Sequence, residues 1–460
     1  MLSEAIKLQR TLNSEAEYKR MTEESVTKLV VKLSLPTILS QMITSIYNMA
    51  DTFFVTSLGD SAIGAVSIVY ALQSILQAIG FGLAMGGGSL VSMKLGEKDE
   101  NGANKYASCA VFAAIFMGLL LTGGGMINLP GLLRVFGSTK TILPYAVDYA
   151  FIVLLGAPIM CSSFVLNNIM RAEGKATFSM IGLTAGGVLN IFLDPIFIFT
   201  LDMGVSGAAL ATVLSQFISF CILMSVYVSG RSIVKLSLKN ISLRIQDYWI
   251  IIRTGLPTVF RQGLSSLATT LLNVQVKPFG DAAIAAVGIA NKLYMLLRSF
   301  VLGIGHGFQP VAGYNFGAKK NNRVKKAFWV ATALGTAVSV VSSLVLVFFS
   351  SQLVEIFRPE TQETVRIAVR MLLFISAALP FLGYSTYVNQ LYQCLGFVKG
   401  ATVLASLRQG IFFVPLIFIL PLFFELDGIL MTQPAADLLT FFVSIPFNIY
   451  FLRRNLPCNE

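Results

Sequence analysis

Charge is what this sequence has least of. Asp, Glu, Lys and Arg together make up 12% of its 460 residues, about half the share of a soluble domain, while hydrophobic residues make up 55%. That balance excludes a water-soluble globule, and the chain reads as a polytopic membrane protein. Histidine occurs once and cysteine five times. Cys109, Cys161, Cys221, Cys394 and Cys458 stand singly, with no C-x-x-C pair, so they read as small core residues and no metal or redox centre is expected. No G-x-x-x-x-G-K-[ST], H-E-x-x-H or G-x-S-x-G occurs, which leaves ATP hydrolysis and the common hydrolase chemistries without their parts. No enzyme activity, catalytic residue or organic cofactor is expected. Residues 1–28 hold no short apolar core with a cleavage site, so no removable signal peptide is expected. The formal charge of +11, from 34 Lys+Arg against 23 Asp+Glu, reads in such a chain as basic cytoplasmic loops, with no nucleic-acid partner.

Long apolar runs are present instead. Twelve fall near 33–58, 62–93, 105–128, 142–168, 176–200, 204–228, 249–279, 282–314, 327–352, 364–392, 400–424 and 428–452, each long enough to span a bilayer. The polar stretch 229–248 separates two sets of six. The expected organisation is a cytoplasmic N-terminal arm over 1–28, an N-lobe over 29–228, a cytoplasmic linker over 229–248 and a C-lobe over 249–460. Lys and Arg crowd the loops on one side, at Lys94, Lys98 and Lys105, at Arg231, Lys235, Lys239 and Arg244, and from Lys319 to Lys326. Because basic loops are retained on the cytoplasmic side, both termini are expected in the cytoplasm, in a multi-pass protein of the cell's plasma (inner) membrane.

The two sets repeat each other. Leu35-Pro36-Thr37 answers Leu256-Pro257-Thr258 at an offset of 221, and the same offset pairs Gly59-Asp60 with Gly280-Asp281, Gly82 with Gly303, Gly96 with Gly317 and Lys98 with Lys319. Six spans return the chain to the same side, so the repeats are parallel. The fold class is therefore an all-α polytopic membrane protein, with twelve transmembrane helices in two six-helix lobes related by a pseudo-twofold axis along the membrane normal.

Acids within the runs carry the chemistry. An ionised side chain in hydrocarbon costs several kcal/mol and marks a functional site by default. Asn190 and Asp194, four residues apart, share a helix face. Pro195 cannot donate to the Ile191 carbonyl, which leaves an oxygen loose beside them. At a rise of 1.5 Å per residue, Asp51 and Asp194 both lie roughly 10 Å inside the outer boundary and Thr212 about 12 Å inside. Neither acid has a counterpart under the repeat, so the membrane acids are expected in the N-lobe alone. Two carboxylates with an amide and a hydroxyl suit either a shared proton or a dehydrated monovalent cation. Taken singly, Asp194 reads equally well as a buried acid held by local hydrogen bonds in a kinked helix.

The ordered set Pro36, Asp51-Thr52, Gly59-Asp60, Gly96-Glu97, Arg171-Ala172-Glu173-Gly174, Asn190-x-x-x-Asp194-Pro195 and Gly204-Val205-Ser206-Gly207-Ala208-Ala209 resembles the multidrug and toxic compound extrusion family. Within it, the chain is most similar to the MepA-like bacterial multidrug pumps, over everything after about Glu23. The resemblance implies an antiporter that exports diverse organic cations by alternating access against protons or sodium ions, acting as a monomer in the lipid bilayer. It also implies a cation site at Asp51, Asn190, Asp194 and Thr212, where Na⁺ is the one metal in question, and helix bends at Pro36 and Pro195. Sodium-coupled relatives of another branch carry a Glu in span 7 and an Asp in span 10. This chain has Val259 to Gln262 and Tyr387-Val388-Asn389-Gln390 there, which speaks against C-lobe coupling of that kind. The C-lobe bases Arg261, Lys292, Arg298 and Arg408 read as snorkelling or carbonyl-paired, and His306 as a packed residue. A flippase for lipid-linked oligosaccharide, or a non-transporting scaffold or channel, are the rival readings.

Overall fold

The computed structural model describes residues 14–56, 58–359 and 361–457; Lys7, Arg10 and Cys458 lie outside the described residues. A short helix α1 over 14–23 precedes the spans. The chain then runs through α2 (Val26–Thr56), α3 (Asp60–Gly96), α4 (Glu100–Ile127), the short α5 (Leu129–Val135), α6 (Leu143–Ala172), α7 (Ala176–Pro195) and α8 (Gly204–Val228). The second half contains α9 (Ile245–Val276), α10 (Asp281–Gly317), α11 (Asn321–Glu355), α12 (Gln362–Cys394), α13 (Val398–Ser406), α14 (Phe413–Ile419) and α15 (Pro421–Asn455). Among the described residues, 11 spans are long and apolar enough to cross a membrane. The twelfth is α9, 32 residues long but diluted by Arg253, Arg261, Gln262 and Asn273. The expected twelve-helix, all-α architecture is the observed one. Most helices run a few residues past the expected ends, because a helix leaving the bilayer keeps its backbone paired for another turn.

The repeat is visible in the backbone. Gly59 and Gly280 open α3 and α10 at φ 95° and 87°, Lys98 and Lys319 follow those helices at φ 60° and 59°, and Gly174 and Gly396 stand at 83° and 79°. Left-handed conformations recurring at a spacing of 221 or 222 residues in both halves mean the same turns were built twice.

Buried apolar side chains fall into three groups. One draws on both halves and on both ends of the chain, from Val26, Leu29 and Leu33 through Phe308 and Val311 to Phe451 and Leu456. The other two share no member. Val55, Leu129, Leu133 and Tyr149 pack in the first half, and Leu272, Val276, Leu346 and Phe413 in the second. The halves are therefore joined at the end that carries the termini and are separate cores at the other. The joint is close. A Cβ on Gly255 of α9 would sit 2.0 Å from the Gly82 carbonyl oxygen of α3, and one on Gly303 of α10 would sit 2.5 Å from Ile38 Cα of α2, so only glycine permits these approaches. Thr37 Oγ1 donates to the Gly303 carbonyl at 2.6 Å and Ser34 Oγ to that of Ile304 at 3.3 Å. α1 straps the same end. Arg20 reaches the Gly174 carbonyl of the first half at 2.8 Å, while Asn315, Lys320 and Arg323 of the second donate to the carbonyls of Met21, Thr22 and Glu24 at 2.9, 3.0 and 2.6 Å.

The described cysteines are free thiols, and Cys109, Cys161 and Cys394 are buried as expected. Cys221 is exposed on α8, a correction that follows from the bilayer: a lipid-facing surface takes small apolar side chains as readily as a core does.

Candidate functional site

The site begins with two glycines. At Gly186 and Gly187, Cβ atoms would stand 3.0 Å from Ser219 and 3.0 Å from the Tyr47 ring, so α7 lies tightly between α8 and α2. That fit delivers Asn190 and Asp194, one and two turns further on, into the same crevice, 3% and 0% exposed. Asn190 Nδ2 donates to Asp194 Oδ1 at 3.1 Å and, more weakly, to Thr212 Oγ1 of α8 at 3.5 Å. Asp51 arrives from α2, close enough for its charge and that of Asp194 to act on each other. Tyr149 of α6, held by Gln73 of α3 at 3.4 Å, lies within electrostatic reach of both. Asn190, Asp194 and Thr212 are thus joined by hydrogen bonds, with Asp51 within electrostatic reach of Asp194.

Two carboxylate oxygens in the crevice are left without a partner among the described residues. Among the described residues, Asp51 Oδ1 and Asp194 Oδ2 are buried and accept no hydrogen bond, and neither acid has a salt-bridge partner. Burying such an oxygen without a partner costs on the order of 1–3 kcal/mol, and more when it is charged. The groups present can take a proton on either carboxyl, or can hold a small cation between two carboxylate oxygens and the Thr212 hydroxyl. The amide of Asn190 now turns its NH₂ toward Asp194, which steadies a bare carboxylate; a metal cation would require its oxygen there instead.

The two prolines differ in effect. α2 passes through Pro36 as one continuous helix, with Ser40 Oγ donating to the Pro36 carbonyl at 2.9 Å. Pro195 ends α7, and the chain continues through the π-helical turn Ile196–Thr200. The missing proline N–H is absorbed by widening the next turn. A second π turn, Leu407–Phe412, joins α13 to α14 in the other half.

That second turn corrects an expectation. Membrane acids are not confined to the first half, for Asp437 of α15 is buried at 3% exposure and meets Arg408 Nε at 2.5 Å. Tyr294 donates to Asp437 Oδ2 at 2.9 Å and Gln433 to Oδ1 at 2.8 Å, and Arg408 also reaches the Tyr294 hydroxyl. Arg408 is therefore neither snorkelling nor carbonyl-paired. Its partner lies 29 residues away, and the signal for it was an acid within the run 428–452, evidence of the kind that singled out Asp194. His306 is a packed residue as expected, its Nδ1 3.3 Å from Gln309 Oε1.

The MatE family model matches residues 36–196 and again 257–419, once in each half. The chain is 27% identical over 442 residues to the multidrug export protein MepA of Staphylococcus haemolyticus, covering 95% of this chain and 96% of that protein. It is 28% identical over 435 residues to MepA of Staphylococcus aureus, covering 94% and 95%. Among solved structures, an outward-facing conformation of a multidrug resistance MATE family transporter superposes with a TM-score of 0.90 at 24% identity, covering 94% of this chain and 97% of that one. A MATE protein crystallised with MaL6 gives 0.90 at 24% identity, covering 94% and 98%. With twelve membrane helices, a duplicated half and a family model matching in both halves, the chain belongs to the MATE family of multi-pass membrane transporters and is not an enzyme.

Proposed function

We propose that this transporter is an ion-coupled antiporter that exports structurally diverse organic cations across the plasma membrane by alternating access, working as a monomer with both termini in the cytoplasm. In this reading residues 29–228 and 249–460 are the two moving lobes, 1–28 is a cytoplasmic arm and 229–248 the cytoplasmic link between lobes. The observation that carries it is the pair of buried carboxylate oxygens, on Asp51 and Asp194, that no described residue satisfies. A lipophilic cation entering from the joined side and a proton or sodium ion entering from the open side compete for the same relief of charge. Asn190 orients Asp194, Thr212 completes the site, and the π turn after Pro195, together with Pro36, gives α7 and α2 a place to repack when the ion binds. Relatives named as multidrug export proteins over 95% of the chain support drugs as cargo.

The test is dye efflux from proteoliposomes with proton and sodium gradients imposed separately. An inward gradient of one ion should drive extrusion of a cationic dye, and dissipating it should stop extrusion. Transport confined to neutral or anionic lipids would favour the flippase and end this reading.

A further inference from the structure

The second half contains an arrangement that cation export does not use. Arg261 lies mid-helix in α9, Arg298 mid-helix in α10, and Arg408 in the π turn between α13 and α14. Arg298 lies one helical turn beyond Tyr294, whose hydroxyl Arg408 reaches, and α9 packs against the π turn that carries Arg408, so the three charges act on one another. Against these guanidiniums stands one carboxylate, Asp437, already taken by Arg408 at 2.5 Å, by Tyr294 at 2.9 Å and by Gln433 at 2.8 Å. Arg261 and Arg298 have no hydrogen bond and no ion pair among the described residues, and both remain partly accessible. The cluster therefore carries two positive charges in excess at the middle of the membrane.

Such charge is costly where no water can solvate it, and membrane guanidiniums are normally paired or face a cavity. Snorkelling does not relieve these. Arg261 is about 24 Å along α9 from one end and about 22 Å from the other, farther than an arginine side chain extends. The same distance keeps a lipid phosphate at the bilayer surface out of reach. α9 and α10 are also the helices through which the second half packs on α3 and α2 of the first, so the cluster sits on helices that border the space between lobes. The π turn is a second observation of the same kind: it costs backbone regularity, recurs at functional sites, and here carries Arg408, which meets Asp437, and Gln409, which donates to Gln433 beside that acid.

We propose that Arg261 and Arg298, backed by the Arg408–Asp437 pair, form an anion subsite that receives the carboxylate or sulfonate of a substrate whose cationic end lies toward Asp51 and Asp194. The planar fork of arginine suits a two-oxygen acceptor, and the ligand class is a zwitterionic amphiphile. This rests on the reading of the space between lobes as the drug path, and it adds a polarity to that path: anion toward the second half, cation toward the first.

The test uses purified full-length protein in nanodiscs and a matched pair of probes, a rhodamine with a free carboxylate and its methyl ester, titrated by fluorescence anisotropy. Both carry the cation, and only the first carries the anion. Replacing both arginines, as Arg261→Gln with Arg298→Gln, should lower the affinity ratio of zwitterion to ester by about tenfold, whereas Arg261→Lys with Arg298→Lys keeps the charge without the fork and should retain only part of the ratio. An aryl sulfonate added to wild type should displace the zwitterion and leave the ester bound, a measurement that needs no variant. A ratio unchanged by the Gln pair, or displacement of both dyes alike by the sulfonate, overturns the subsite. Gradient-driven export of the ester in proteoliposomes separates the two ideas: if it occurs without any zwitterion preference, the subsite alone fails, and if no export occurs at all, the antiport reading fails first.

Discussion

Gly303→Ala should open the joint between the halves. The added Cβ would stand 2.5 Å from Ile38 Cα and 2.8 Å from Ile38 N, whereas carbon atoms rest about 3.5–4 Å apart, so α10 must retreat from α2 by about 1 Å. Both close atoms are backbone, and no rotamer change relieves the contact. Retreat lengthens the bonds from Thr37 to the Gly303 carbonyl, 2.6 Å, and from Ser34 to that of Ile304, 3.3 Å. Two hydrogen bonds at about 1 kcal/mol each, added to overpacking of at least about 1 kcal/mol, amount to roughly 3 kcal/mol or more against the conformation joined at the terminus end. That moves a two-state population by about a hundredfold. The readout is Cys394, 1% exposed, which lines a small inter-lobe cavity of about 20 Å³ with Ser89, Asn168, Arg171 and His306. In a background lacking the other four cysteines, a hydrophilic maleimide should label Cys394 slowly in the parent and far faster in Gly303→Ala. A folded Gly303→Ala protein that labels at the parental rate would refute the idea that this seam is the closed gate.

Two further outcomes follow. Arg408→Leu strands Asp437 in the membrane with only Tyr294 and Gln433, and should cost about 3–5 kcal/mol, read as a lowered thermal midpoint in detergent; Arg408→Leu combined with Asp437→Leu should recover most of it, and a double variant as unstable as the single would show the pair itself to be unimportant. Glu173 lies in the turn after α6, fully buried, with Ser232 Oγ at 2.6 Å and the Ile233 N–H at 2.8 Å. Burial raises its carboxyl above the ordinary 4.5 against the opposing pull of Lys175 and those two donors, so the folded protein holds this proton more tightly than the unfolded chain. The stability difference between wild type and Glu173→Gln is therefore most favourable to wild type below pH 4.5 and falls as pH rises through the raised value. A difference that grows with pH would reverse the sign and exclude burial as the governing cause.

How far the sequence anticipated this structure varies with the range of the interactions involved. Spans and repeat were legible because hydropathy is additive along the chain, and because paired residues such as Gly59 and Gly280 were kept for backbone angles that other residues rarely adopt. Asn190 and Asp194 were legible together because four residues make one helical turn. The Arg408–Asp437 contact was not, since nothing local links a π turn to the middle of α15. α9 is the reverse case: repeat spacing located it, although its polar residues take it below the hydropathy of the other spans. Pro195 showed that a carbonyl would be released, yet the widened turn that accommodates it depends on packing around α8. Which end of the molecule is joined could not be read at all, because both states of a transporter use the same sequence.

The claim that Asp51 and Asp194 exchange drug for ion is tested most directly by linkage in reconstituted protein. Coupling free energy is reciprocal, so saturating drug should weaken ion binding by the same factor by which the ion weakens drug binding. Asp194→Asn imitates a permanently neutral site. It should insert and fold as wild type does, lose that linkage, and lose gradient-driven efflux of a cationic dye. Asp194→Asn that pumps the dye at the wild-type rate under either a proton or a sodium gradient would contradict the account.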